Sequence, residues 1–163
     1  MRYADIVRFN ADDALFKRLG FSKALVEGTD IAIASKMPGP QTPSIIRSEN
    51  PGTIISAIRE SSVAGAIFAG FELNKNAIEK IADSDKILFI PASEIIDERT
   101  DRNYAAAKAR KIAVAAHKLK AKVRIVSLAS SKEQLLSRVQ LDELSRFITK
   151  GNSIIELLKV DEI

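Results

Sequence analysis

Two spacings of apolar residues alternate along this chain. Short apolar runs are separated by stretches in which apolar residues recur every three or four positions, the patterns of buried strand and amphipathic helix respectively. Ala4–Phe9 (ADIVRF) predicts a short strand. Asn10 can cap a helix running through Leu19, and Gly20 is a stop signal. The runs 24–27 and 30–35, divided by Gly28 and Thr29, predict two strands. Between Met37 and Pro43 the chain reads MPGPQTP, a breaker-rich loop. Ser44–Arg47 predicts a further strand.

Asn50 followed by Pro51 marks a helix start, because an asparagine side chain can cap while proline fits the first turn. Ile54, Ile55 and Ile58 then repeat at helical spacing up to Glu60. Val63–Ala69 (VAGAIFA) reads as a strand covered on both faces. Asn74 or Asn76 caps a helix through Ala82, and Lys86–Ile90 (KILFI) is the next buried strand, stopped by Pro91. Glu94–Ile96 offers it a continuation. Asp101–Lys120 is the longest expected helix and is rich in alanine, the best helix former. Val123–Ser127 predicts a strand. Ser131 with Gln134 matches a capping box for a short helix, Leu141–Lys150 predicts another stopped by Gly151, and 153–160 fits helix or strand.

Alternation of strand and helix with long connections predicts an α/β fold with mostly parallel strands. Two architectures satisfy it: a compact or reduced TIM-like (β/α) barrel, and an open doubly wound sheet. A full barrel takes about 250 residues, so in 163 residues it has to shed helices. The strand pair within 24–35 is such an economy. No repeat, low-complexity tract or linker interrupts the pattern, so residues 1–163 are expected to form a single barrel-like domain.

Composition narrows the picture. Apolar residues make up 46% and charged residues 28% of the chain, the balance of a folded domain. The absence of cysteine excludes disulfides and thiolate metal sites. The start, Met1 to Asp5 (MRYAD), lacks a signal-peptide core, and no run approaches the ~18 apolar residues of a membrane span. A cytoplasmic location is therefore expected.

Charge is distributed unevenly. Residues 1–98 carry 11 Lys/Arg against 14 Asp/Glu, and residues 99–163 carry 14 against 7. From Arg99 to Arg138, 11 basic residues are accompanied by Asp101 and Glu133 alone as acids. Such an imbalance suits a polyanion-binding face, though a solvated helix face produces the same pattern.

Enzymatic chemistry is hard to locate. His117 is the single histidine, in the basic helix, and reads as a surface residue. One histidine cannot supply the cluster that a metal-dependent phosphoesterase needs, and no Gly-x-Ser-x-Gly turn accompanies it. Gly65 and Gly70 bracket a strand without the following Lys-Ser or Lys-Thr of a phosphate loop, and no Gly-x-Gly-x-x-Gly occurs. Asp83, Asp85, Asp97 and Glu98 lie near element ends and read as caps and surface charge. Neither a cofactor nor a catalytic residue is expected.

Electrostatics is what remains. On a helical wheel Lys108, Lys111 and Lys118 share one face, beside an apolar stripe of Ala105, Ala109, Ile112, Ala116 and Leu119. Lys120, Lys122 and Arg124 extend the charge at one end, with Arg99 and Arg102 at the other. Cations near a helix C-terminus also suit its dipole, which accounts for Lys118 and Lys120 without any ligand. A row of this kind can meet phosphates. Beyond Phe89 the aromatic residues are Tyr104 and Phe147, so recognition by backbone and shape is expected over base stacking.

The stretch from Lys122 to Ser130 (KVRIVSLAS), followed by Arg138 to Asp142 (RVQLD), resembles protein component 3 of archaeal ribonuclease P, the p-thirty subunit shared with eukaryotes. In that family a strand ends in small hydroxyl residues. An arginine follows eight positions later, then a proline and an acidic residue opening a helix. Ser130, Arg138 and Asp142 occupy those places, and Gln140 stands where the proline would be. The long helix entered through Arg102 also matches, as do 74–83 and 86–90 more loosely. The resemblance covers about 60 residues.

It implies a barrel related to a metal-dependent phosphoesterase fold that has lost its metal ligands. It also implies a non-catalytic subunit that pairs with a second ribonuclease P protein and stabilises the RNA that cuts 5′ leaders from precursor tRNA. Together the readings nominate Arg99, Arg102, Lys108, Lys111, Lys118, Lys122, Arg124, Ser130, Lys132 and Arg138 as RNA-binding residues, with ribonuclease P RNA and precursor tRNA as partners. Two rivals stand beside this. One is a small barrel enzyme acting on a phosphorylated metabolite, with Asp97 or Glu98 as base. The other is an interaction module whose basic helix meets an acidic partner.

Overall fold

Strand and helix alternate in the computed structural model, which describes residues 2–10, 12–36, 43–97, 99 and 101–163. In chain order the elements are β1 (Ala4–Val7), α1 (Asp13–Arg18), β2 (Lys23–Val26), β3 (Ala32–Ala34), β4 (Ser44–Ser48), α2 (Pro51–Ala57) and β5 (Val63–Phe68). There follow α3 (Lys75–Asp83), β6 (Ile87–Pro91), α4 (Ser93–Ile96), α5 (Arg102–Lys118), β7 (Lys122–Val126), α6 (Arg138–Thr149) and β8 (Glu156–Leu157). The fold is α/β with parallel strands in two sheets. β1 pairs with β2, and β3 to β8 form a six-stranded sheet in sequence order.

Hydrogen bonds also run between the sheets. Leu128 N–H donates to Ile6 O and Arg8 N–H to Ala129 O, each at 2.8 Å, tying β1 to the segment after β7. Ala4 N–H donates to Leu158 O at 2.9 Å, just past β8. On the far side, Gly28 N–H donates to Ile31 O at 2.9 Å, where the chain leaves β2 for β3.

Alternate residues of each strand enter two different cores, as the period of two requires. Ile46, Leu88, Ile90 and Ile125 pack in a core that includes Ile54 of α2, Ile78 and Ile81 of α3, Ile112 of α5 and Ile148 of α6. Ile6, Leu25, Ile31, Ile45, Ile67, Ile87, Phe89, Val126 and Leu158 form a second core whose buried members all come from strands and the segments beside them. Gly65 is what lets β5 and β6 approach there. A Cβ on it would lie 2.0 Å from Ile87 O and 2.8 Å from the Phe89 ring.

Helix starts follow local chemistry. The side chains of Asn50, Asn74 and Asp101 accept from Gly52 N–H, Ala77 N–H and both Asn103 and Tyr104 N–H. At α1 the cap is Asp12 rather than Asn10. Ser131 makes no side-chain cap and 132–134 is a single 3₁₀ turn. The capping box lies instead at Ser137 and Gln140, so α6 starts three residues before the expected Leu141. Ser93–Ile96 is a helical turn, not a continuation of β6, and the tail contributes the short β8. Of the breaker-rich loop, 37–42 lies outside the described residues. No described helix is long and apolar enough to cross a membrane.

Candidate nucleic-acid interface

α5 buries Ala105, Ala109, Ile112 and Ala116 and half-buries Leu119, the stripe expected from the wheel. Docking that stripe on α3, α6 and the sheet turns Arg110, Lys111 and Lys118 towards a groove between α5 and α6 of about 950 Å³. Lys75 from the start of α3 and Lys150 from the end of α6 complete its rim. Leu73, Ala107, Val114 and Phe147 supply apolar lining. Among the described residues no acidic side chain lines the groove, and none of the five cations is in an ion pair with a described residue. With no neutralising partner, five like charges around one concavity set up a positive potential that focuses on an anion.

The ten nominated residues do not share this place. Lys111 and Lys118 are in the groove. Arg102 is exposed at the start of α5, without an ion pair among the described residues. Lys108 turns away to Glu72 at 2.5 Å and lies 5.2 Å from the centre of the Tyr104 ring; the Glu72 hydrogen bond raises its pKa. Arg99 is 89% exposed but grips Asp97 through two bonds of 2.8 and 3.0 Å. Lys122 pairs with Asp85 at 2.8 Å, beside a separate cavity lined by Asp161 and Glu162.

Arg124 is a correction. It is 7% exposed, with its guanidinium on Glu162 at 2.5–3.0 Å and on Glu156 at 3.3 Å. An RNA phosphate cannot reach a cation enclosed in this way. Alternation along β7 explains it, since Val123 and Ile125 face the helices while Arg124 and Val126 do not. Burial alone would lower its pKa, but the carboxylates outweigh that and hold it raised.

Three nominees lie outside the groove lining. Ser130 is exposed, its N–H donating to the Gln134 side chain at 2.9 Å, and Lys132 is exposed in the 3₁₀ turn. Arg138 opens α6, its N–H bound to Leu19 O at 2.9 Å and its guanidinium 5.4 Å from the centre of the Tyr3 ring. Gln140 Oε1 accepts from Ser137 N–H at 2.8 Å, and Gln140 N–H donates to Ser137 Oγ at 3.3 Å. A proline at 140 would lose both bonds.

Sequence reasoning passed over Lys75, Arg110, Lys150 and Phe147. Arg110 was legible from its neighbour Lys111. Lys75 sits in the acidic half of the chain, and only tertiary packing brings it here. Tyr104 and Phe147 are 61% and 57% exposed, so aromatic surface is present after all.

For the rival enzyme, Asp97 is a weak base. Hydrogen bonds from Arg99 hold its carboxyl down at about 2, so it stays ionised with little affinity for a proton. Glu98 lies outside the described residues. Among those described, no group of three or more metal-ligating side chains occurs. No protein-family model matches the chain, and no curated protein matches it significantly.

Proposed function

We propose that this protein is an RNA-binding, non-catalytic subunit of ribonuclease P that supports 5′-leader removal from precursor tRNA by stabilising the catalytic RNA together with a second protein. The observation that carries the RNA reading is the groove between α5 and α6, where five cations have no ion-pair partner and no acidic neighbour in the lining among the described residues. Phosphate contacts of this kind give affinity with steep salt dependence and little base specificity. Attribution to ribonuclease P rests on the resemblance of 122–130 and 138–142.

The scaffold we assign is a compact barrel. Supporting closure, β1 is hydrogen-bonded on one side to β2 and on the other to the segments following β7 and β8, while β2 leads into β3 through the Gly28–Ile31 bond. A core drawn from the strands and their flanking segments, with the helices in a different core, is what a barrel interior and its jacket require.

Reconstitution tests it. Added to ribonuclease P RNA with its other protein subunits, the chain should raise the rate of leader removal from precursor tRNA several-fold at limiting magnesium. The variant Lys111→Ala/Lys118→Ala/Lys150→Ala should lose most of that gain. A reconstituted enzyme indifferent to the chain would overturn the assignment.

A further inference from the structure

Phe147 occupies a position that packing does not explain. α6 buries Leu141, Ser145, Ile148 and Thr149, and Phe147 lies off that stripe, 57% exposed, in the lining of the cationic groove. A single exposed aromatic is ordinary on a protein surface. Here, however, the ring lies among Lys75, Arg110, Lys111, Lys118 and Lys150, none of them in an ion pair with a described residue.

Resting on the RNA-binding reading, we infer that the groove takes an unpaired stretch of RNA, with one base stacked on Phe147 and the flanking phosphates on Lys111, Lys118 and Lys150. Lys111 and Lys118 stand two turns apart on α5, about 10 Å along its axis. Lys150 follows Phe147 by three residues and caps α6 in the left-handed region, with φ of 53°. An aromatic face beside a cationic track is how single strands are held without sequence preference, because every base presents a π-face and every nucleotide a phosphate.

A duplex fits less well, since its base faces are already covered by their neighbours. An acidic partner helix would want a row of apolar pockets at helical spacing. The lining instead offers two large exposed apolar side chains, Leu73 and Phe147, among alanine methyl groups and Val114.

The test uses the whole chain and three probes of equal length: an oligouridylate, the same backbone with abasic sites throughout, and a blunt RNA duplex. Phe147→Leu should weaken oligouridylate about tenfold and leave the abasic strand and the duplex unchanged. The chain has no tryptophan, so Phe147→Trp introduces a sole reporter, whose fluorescence oligouridylate should quench and the abasic strand should not. Equal affinity of Phe147→Leu and the unaltered protein for oligouridylate would overturn the stacking while leaving RNA binding intact. Failure of every probe to bind at low salt would overturn both. Polyglutamate displacing oligouridylate at equal charge concentration would assign the groove to an acidic protein instead.

Discussion

Arg124 and Glu162, 38 residues apart in the chain, are joined by side-chain bonds of 2.5–3.0 Å that set the C-terminal 3₁₀ turn against β7. Burial pushes the Glu162 carboxyl up, but Arg124 and the Lys159 N–H outweigh it and hold the carboxyl below its usual range. Removing the Glu162 charge leaves the enclosed Arg124 with Glu156, at 3.3 Å, as its remaining carboxylate among the described residues. Glu162→Gln should therefore cost about 2 kcal/mol in urea unfolding, the weight of charge-assisted hydrogen bonds. Replacing both, as Arg124→Met/Glu162→Leu, should cost far less and leave RNA affinity unchanged, because this cation does not reach the surface.

Asp5 should contribute a component of stability that falls as pH rises from about 4 to about 6. Fully buried, its carboxyl is pushed up from 3.8 to about 6 by desolvation, against the lowering effect of Ser127 and of the Ser127 and Ile6 N–H groups. Its Oδ2 and the Ser127 hydroxyl are buried with no hydrogen-bond partner within ordinary bonding geometry among the described residues. A carboxyl with a raised folded pKa stabilises most below its unfolded value, and that contribution disappears as pH passes through about 6. On the order of 3 kcal/mol separates the two limits. Asp5→Asn should flatten this slope between pH 4 and 7, as read by denaturant midpoints at constant ionic strength. A slope unchanged by the substitution would contradict the assignment.

Gly65 is required by contact, not by conformation. Gly65→Ala would drive a methyl group against the Ile87 carbonyl, a backbone atom that no rotamer change can move. We expect a loss of about 3 kcal/mol, visible as a lowered thermal midpoint. Phe89→Leu should not rescue it, since that change relieves only the secondary clash with the ring.

The elements were legible where the signal is local. Asn50 caps the helix it was read to cap, and Asn74, one of two candidates with Asn76, caps the next, because one side chain reaching its own next turn needs nothing from the rest of the chain. The same reasoning misplaced the last capping box. Ser131–Gln134 and Ser137–Gln140 have the same spacing, and only the second precedes a stretch whose apolar face, Leu141, Ile148 and the half-buried Leu144, has a core to enter.

The interface was legible in amount but not in membership. A run of cations can be counted, yet whether each is free depends on acids far away in the chain. Glu72 takes Lys108, Asp85 takes Lys122, and Glu162 with Glu156 takes Arg124. Lys75 and Phe147 join the groove because α3 and α6 pack against α5, which no spacing within one segment encodes.

The most direct measurement of the central claim is RNA affinity across a salt series, for the unaltered chain and for Lys111→Ala/Lys118→Ala/Lys150→Ala. The groove predicts salt-sensitive binding that prefers structured RNA with unpaired loops over duplex DNA. It also predicts a log–log salt slope shallower by about 2 in the variant, as three lost phosphate contacts require. Identical slopes and affinities for the two proteins would contradict it.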